Sequence, residues 1–461
     1  MTLFDYLKRH NSHHPNHVAI KSSTMQLSFK ALYNIVAFNQ EQLKALKGKK
    51  IILKIEDQFQ YIVTLLVLFS LEAWIIPVAT DMKEQELEKI KSLIEDSILI
   101  DDQSNPLCIK QGNGILKKVN EAQTGIYHMT SGSTGVPKFC IRTLENLTFE
   151  GESYALTLKL SEKDKILNLP TLSHSYALGA ACISGIVSGA TVFTLNDFIP
   201  RKVLTIIEQE KPTIMILVPF MAKMLAKSNL SKNKNLSSLR IVLAGAGKIT
   251  EEIYQVFWER FDLHLMSNYG STETGGIVTR LTPTPMGSVG KPMGGVEIRL
   301  KDENGTVVTS GDEGEIWVRT PAMASGYLND VPLFIDDEGF YGMNDIGFQD
   351  QDGYLYLTKR KKNVINIAGK KVNPLEIEDV LLKHPKIKDC IVLGLKTANS
   401  TERVAAIIST HQEVTEKEIR KYCHSELSNS KVPSLITLVS HIPRNKLGKV
   451  SHTLIQEQID E

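Results

Sequence analysis

The sequence predicts an α/β protein: a large N-terminal domain of layered α/β sheets with a β-rich subdomain, then a small C-terminal α/β domain. Three observations carry this. Short apolar, β-branched runs alternate with helical segments along most of the chain, the pattern of helices layered on sheets. Between residues 287 and 357 the texture changes to dense turn residues and alternating strands. Four successive cations, Lys359-Arg360-Lys361-Lys362, then precede a second compact α/β pattern. A boundary at this run divides the chain into residues 1–361 and 362–461.

Taken in order, residues 50–55 read as a short buried strand. The apolar stretch 61–78 carries Glu72 and Pro77 and falls short of the ~20 uninterrupted apolar residues that a membrane-spanning helix needs. It reads as a buried helix followed by a strand. Residues 190–195, 213–218 and 239–244 are apolar, β-branched and bounded by Gly, Pro or charge, as buried strands are. In the β-rich part, 295–300 and 315–319 alternate. Beyond the cations the pattern gives a helix over 374–383, strands over 389–395 and 404–410, a helix over 416–427 and a strand over 435–439. No internal repeat or low-complexity tract interrupts it.

At 461 residues the chain is long enough for more than one domain. Its 53 basic and 52 acidic residues leave a net charge of +1, with no basic excess to favour nucleic acid or an anionic membrane as partner. The five cysteines, Cys108, Cys140, Cys182, Cys390 and Cys423, are scattered, with no C-x-x-C pair. They fit a reducing cytoplasm better than a disulfide framework or a zinc site. The first 22 residues lack the apolar core of a signal peptide, so a cytoplasmic location is expected. His10, His13, His14 and His17 have no Cys or carboxylate to complete a ligand set and read as a solvated helix end and loop.

The most informative segment is Thr130-Ser131-Gly132-Ser133-Thr134-Gly135-Val136-Pro137-Lys138. Glycines let the backbone turn tightly enough for several N–H groups to converge on an anion. Ser131, Ser133 and Thr134 add hydroxyl donors and Lys138 a mobile cation, an inventory suited to a polyphosphate. The G-x-x-x-x-G-K-[ST] spacing of a Walker A loop is absent. Gly245-Ala246-Gly247 follows a strand, but Thr250 stands where a dinucleotide fingerprint needs its third glycine.

Further segments follow in order: Asn268-Tyr269-Gly270-Ser271-Thr272-Glu273, residues 359–378, and Pro443-Arg444-Asn445-Lys446-Leu447-Gly448-Lys449. Together with the loop at 130–138 and the opening Leu3-Phe4-Asp5-Tyr6-Leu7, they resemble the ordered signature of the AMP-forming acyl-CoA synthetase family. The resemblance runs from Leu3 to about Leu454, nearly the whole chain. It implies two-step chemistry on a small-molecule carboxylic acid. A carboxylate is a poor electrophile, so ATP with Mg²⁺ first converts it to acyl-AMP, and the thiol of CoA then attacks the mixed anhydride.

The resemblance also implies roles. Thr130, Ser131, Gly132, Ser133, Thr134, Gly135 and Lys138 would wrap the β- and γ-phosphates, and Glu273 would hold Mg²⁺. Thr272 would reach the α-phosphate and Tyr269 would stack on adenine, with Asn268 and Gly270 in the same motif. Gly245 and Ala246 would lie against adenine and the acyl group. Asp345 and Arg360 would bind the ribose hydroxyls, and His174, in the segment 170–179, would gate the acyl pocket. Lys449 would bridge carboxylate and α-phosphate in the first step. Gly369 would border the pantetheine channel in the second, after the C-terminal domain turns about a hinge at Lys362.

Several positions depart from the family's pattern. Phe139 stands where glycine usually follows Pro-Lys, Met343-Asn344 replaces Thr-Gly before Asp345, Lys359 precedes Arg360 in place of glycine, and His452 replaces a later basic residue. No Asp or Glu lies between Thr171 and Phe193, where amino-acid-activating members hold the substrate ammonium. An unpartnered buried ammonium is costly, so the expected substrate is a fatty or other apolar acid without an α-amino group. Three points stay open: a phosphopantetheinyl carrier protein as the thiol partner, a homodimer, and a non-catalytic nucleotide-binding relative.

Overall fold

A computed structural model describes residues 1–107, 115–130, 138–228, 236–283, 285–328, 332–360, 365–367, 370–396 and 402–442. Packing divides the chain into two units, Met1–Ile298 with Val318–Tyr341, and Arg299–Trp317 with Gly342–Glu461. The boundary expected at residues 361–362 lies among residues outside the described set.

The first unit holds two sheets. In one, six neighbouring strands run parallel in the order Leu265–Ser271, Ile241–Ala244, Ile214–Leu217, Lys165–Asn168, Thr191–Thr194, Val18–Lys21. Antiparallel strands Gly275–Arg280 and Ser288–Pro292 continue it at one end and Gln26–Ser28 at the other. Strands 191–194, 214–217 and 241–244 are buried at every residue, which is why the last two read as unbroken apolar runs rather than alternations. The helices Pro200–Glu210 and Pro219–Ala226 each open on a proline, whose fixed φ and missing N–H suit a first helical turn. With the helix Glu251–Phe261 they bury Val203, Leu204, Met221, Leu225 and Phe257 against Met215, Leu217 and Val242.

The second sheet has the order Gly326–Tyr327, Lys138–Thr143, Gly125–Thr130, Trp74–Pro77, Lys50–Lys54, Ser97–Asp101. The apolar stretch 61–78 resolves into the end of the helix Gln58–Ser70, where every residue but Gln60 is buried, and the strand Trp74–Pro77. One core joins Phe59, Leu65 and Phe69 of this helix to Ile51, Ile75 and Ile126 of the second sheet and Ile20 and Val192 of the first. Among the described residues no helix is long and apolar enough to cross a membrane.

Strands Glu297–Lys301, Gly314–Arg319, Tyr341–Gln349 and Leu355–Arg360, most of whose residues belong to the second unit, lie in that order. A separate sheet pairs Ile387–Lys396 antiparallel with Glu402–Thr410, which runs parallel to Leu435–Val439. Helices Pro374–Leu381 and Glu416–Glu426 contribute Ile377, Leu381, Ile419 and Cys423 to its core. These elements match the expected C-terminal pattern to within two residues at each end.

One expectation about the N-terminus is corrected. His10 is buried, its Nε2 is 3.2 Å from the Val187 carbonyl and its ring packs on Phe29. It is a core residue, not part of a solvated end. At the start of the same helix, Leu3–His13, the buried Glu121 carboxylate accepts the Leu3 N–H at 2.6 Å and the Thr148 hydroxyl at 3.2 Å.

Burial pushes the Glu121 carboxyl up from 4.5 to about 7, against the lowering effect of those bonds. Between these two pH values the folded chain keeps a proton that the unfolded chain has lost, so stability falls as pH rises through that window. Glu121→Gln is therefore expected to gain on wild type as pH rises, by on the order of 3 kcal/mol above neutrality, and to gain nothing at pH 4. Urea unfolding at pH 4 and pH 8 checks it; an equal difference at both would remove the assignment.

Candidate active site

Ligands of open α/β sheets bind beyond the carboxyl ends of the parallel strands. Three segments leave the first sheet there. Strand 165–168 runs into Pro170–His174, strand 241–244 into Gly245-Ala246, and the carboxyl end of strand 265–271 into Thr272-Glu273. Parallel register aligns them, with Leu217 opposite Ala244, Ile216 opposite Asn168 and Ala244 opposite Ser267. Three sequence-predicted segments thus start at aligned strand ends of one sheet, and Asn268-Tyr269-Gly270 lies within strand 265–271 just before the third.

The hairpin that flanks the predicted phosphate loop is built from strands Gly125–Thr130 and Lys138–Thr143, with Thr130 opposite Lys138. Thr130 Oγ1 donates to the Lys138 carbonyl at 3.4 Å. Ser131, Gly132, Ser133, Thr134 and Gly135 lie outside the described residues, as do Lys362, Gly369, Lys449 and His452. Side chains alternate along the hairpin. Tyr127, Phe139 and Ile141 enter one core with Ile52, Ile76 and Ile90. Ile126, His128, Cys140 and Arg142 take the other face. Phe139, the departure beside the loop, is therefore a core side chain, 2 % exposed.

A residue that the sequence reading did not single out joins the two charged groups of the site. Tyr327, paired with Cys140 in register, donates its hydroxyl to Glu273 Oε1 at 2.6 Å. The Lys138 ammonium stands 5.6 Å over the same ring. Burial, then the Glu273 charge, raises the Tyr327 phenol well above its ordinary value, so it stays a donor. Cys140 Sγ approaches the Thr272 carbonyl at 3.7 Å, and burial followed by Glu273 raises its thiol. A tyrosine in the run Ser325-Gly326-Tyr327 offers no local signal of this; only strand pairing supplies it.

The Asn268 amide is engaged inside the protein. Its Oδ1 accepts the Tyr154 hydroxyl at 2.9 Å and its Nδ2 donates to Thr279 Oγ1 at 3.1 Å. Tyr269 is buried at 8 % exposure. Gly270 has no room for a side chain, because a methyl there would sit 2.0 Å from the Gly275 carbonyl oxygen.

His174 is half-buried and caps a short helix, Ser175–Ala177, that continues into a π-helical turn, Leu178–Ile183. Such turns recur at functional sites. Tyr176 packs its ring where a side chain on Gly245 would lie and donates to the Leu243 carbonyl at 2.8 Å. Ala246 adopts φ +61°, a left-handed conformation that costs an alanine of order 1–2 kcal/mol. The His128 ring is fully buried near His174 and Arg142; burial, then the Arg142 charge, holds it well below its ordinary value and so neutral.

In the second unit the predicted ribose ligands stand opposite each other, Asp345 across from Arg360 in the antiparallel strands. Asp345 is 7 % exposed. The Asn344 departure has a backbone explanation. Its φ is +56°, the region where glycine is free and asparagine is the best-tolerated side chain.

Comparison with known proteins now gives the family. The AMP-binding enzyme profile matches residues 7–328, and the AMP-binding enzyme C-terminal domain matches residues 376–449. The chain belongs to this family, the AMP-forming acyl-CoA synthetases. It is similar to the 2-succinylbenzoate–CoA ligase of Bacillus licheniformis, 32 % identical over 338 residues, which are 72 % of this chain and 69 % of that protein. A probable 4-coumarate–CoA ligase of Dictyostelium discoideum is 30 % identical over 401 residues, 81 % of this chain and 70 % of the other. The structure of an O-succinylbenzoate coenzyme A synthetase from Bacillus subtilis in complex with AMP aligns with a TM-score of 0.82 at 25 % identity over 96 % of each chain. As a member of this family, the chain is an AMP-forming acyl-CoA ligase with ATP and CoA as co-substrates.

Two outcomes are expected from this geometry. Tyr327→Phe removes the hydroxyl that holds Glu273 and should raise the KM for Mg-ATP by about threefold to tenfold with little change in melting temperature; an unchanged KM would show that the bond does not orient Glu273. Asn344→Gly should be close to neutral, whereas Asn344→Val should cost about 1–2 kcal/mol, read by chemical denaturation.

Proposed function

We propose that this ligase activates an aryl carboxylic acid that carries no α-amino group, transferring AMP to it from ATP and then passing the acyl group to CoA. The observation that carries the reading is the Lys138–Tyr327–Glu273 arrangement beside the predicted phosphate loop. It pairs a mobile cation with an oriented carboxylate, as a triphosphate and its metal require. No group of three or more His, Cys, Asp or Glu gathers among the described residues. A single Glu273 suits Mg²⁺, which keeps several waters and takes one or two protein carboxylates beside phosphate oxygens. Held there, the metal would neutralise charge on the phosphates.

Two considerations support an aryl acid over a fatty one. The similar relatives are named for succinylbenzoate and coumarate, and Tyr176 places an aromatic ring against the Gly245 turn. The absence of an α-amino group rests on charge. The carboxylate that abuts the acyl segment, Glu150 against Gly179, is neutralised by Arg142 at 2.8 Å and is not free for a substrate ammonium. Asp345 and Arg360 are assigned to the ribose, Thr272 to the α-phosphate and His174 to the acyl gate. Lys449 serves adenylation and Gly369 thiol access, with Lys362 as the turning point between them. Phe139 and Asn344, two departures from the family's pattern, are accommodated by core packing and by backbone conformation.

Pyrophosphate release measured across a panel of aryl, aliphatic and amino acids tests the substrate class; strongest turnover on long aliphatic acids would refute it. Lys449→Ala should lower acyl-AMP formation by at least about a hundredfold while sparing thioester formation from supplied acyl-AMP. Equal loss in both half-reactions would point to misfolding or another role.

A further inference from the structure

Beneath the site lies an ion pair that neither the phosphate chemistry nor the acyl pocket has absorbed. Arg142 and Glu150 are both fully buried, with Nη2 and Oε2 2.8 Å apart. The contact is a close approach of charges rather than an aligned hydrogen bond. Arg142 Nε donates to the Ala322 carbonyl at 3.1 Å, and Glu150 Oε1 accepts the Gly276 N–H at 3.0 Å. Burying two charges is expensive unless their geometry and remaining bonds are good, so the pair demands a reason.

The reason is where its partners lead. Glu150 belongs to the helix Leu144–Thr157, and this helix grips the Asn268–Glu273 motif from both sides. Tyr154 bonds Asn268 at its start, and Glu150 bonds Gly276 just after its end. Packing is tight enough to exclude side chains. A methyl on Gly275 would lie 2.6 Å from the Glu150 carboxyl carbon, and one on Gly276 2.2 Å from the Tyr154 hydroxyl. One on Gly179, in the acyl segment, would lie 2.4 Å from the same Glu150 carbon. Arg142, for its part, shares a strand with Lys138 and Cys140.

We propose that Glu150 is a positioning residue for ATP activation: paired with Arg142, it holds the Gly275–Gly276 backbone and so sets where Thr272 and Glu273 stand relative to Lys138. The assignment rests on reading Lys138 and Glu273 as the phosphate and metal groups. Glu150 touches no substrate itself. Without it, Glu273 keeps its carboxylate, but the turn that carries it loses the anchored start of the following strand, Gly275–Arg280.

Removing Glu150 alone would strand a buried Arg142, with the neutral His128 ring as its neighbour, and could unfold the chain. Two charge-free double variants avoid this. Arg142→Met with Glu150→Gln keeps an oxygen to accept the Gly276 N–H; Arg142→Met with Glu150→Leu does not. The Leu double variant should show about tenfold faster amide exchange at Gly276 in the nucleotide-free protein. Its half-saturating Mg²⁺ for adenylation should rise by a similar factor, with thioester formation from supplied acyl-AMP unchanged. The Gln double variant should stay within about threefold of wild type on every measure. Identical behaviour of the two variants, or equal loss in both half-reactions, would overturn the proposal. If the wild-type protein itself formed no acyl-AMP, the functional reading would fall, while the exchange comparison would still decide whether Glu150 anchors Gly276.

Discussion

The two-residue period of the hairpin over residues 125–143 is the constraint on which the rest of the site depends. Alternation commits Tyr127, Phe139 and Ile141 to one core and turns Ile126, His128, Cys140 and Arg142 the other way. A register slip of one residue would exchange the two sets, placing a guanidinium among isoleucines and a phenyl ring beneath the nucleotide motif. The burial of Phe139 and the pairing of Arg142 with Glu150 are therefore one choice seen from two sides. Each enforces the register that the other needs.

Charge is then handled by partnership rather than by solvent. A buried pair gives no assurance of net stability, since well-packed apolar residues often do as well, but losing one member costs about 3–5 kcal/mol. That asymmetry makes Arg142 and Glu150 a strong specifier of arrangement. It also explains how an acyl segment with no acidic residue between Thr171 and Phe193 can abut a carboxylate and yet present no free negative charge. Sequence distance hid this neighbour, because Glu150 arrives from a separate helix.

Motif departures acquire physical meaning in the same way. Asn344 replaces a glycine at a positive φ, where asparagine costs least. Ala246 accepts a left-handed conformation with less help; its strain sits at the turn assigned to adenine and the acyl group, consistent with strain being tolerated where function requires a given backbone path.

Much of this protein was legible in the sequence. Unbroken apolar runs at 214–217 and 241–244 announce strands buried on both faces, because no alternation is needed where no face meets water. The C-terminal elements from 374 to 439 follow from local periodicity, whereas the Asn268–Glu273 motif stood out by its resemblance to a family signature. Tertiary structure alone decided which side chains support them. Tyr327 meets Glu273 across 54 positions, and Glu150 meets Gly276 across 126. His10, read as solvated, is held in the core by Val187 and Phe29. Local sequence encodes backbone propensity and the period of burial. Which carboxylate faces which cation depends on strand order and register, and those are set by how the whole chain packs.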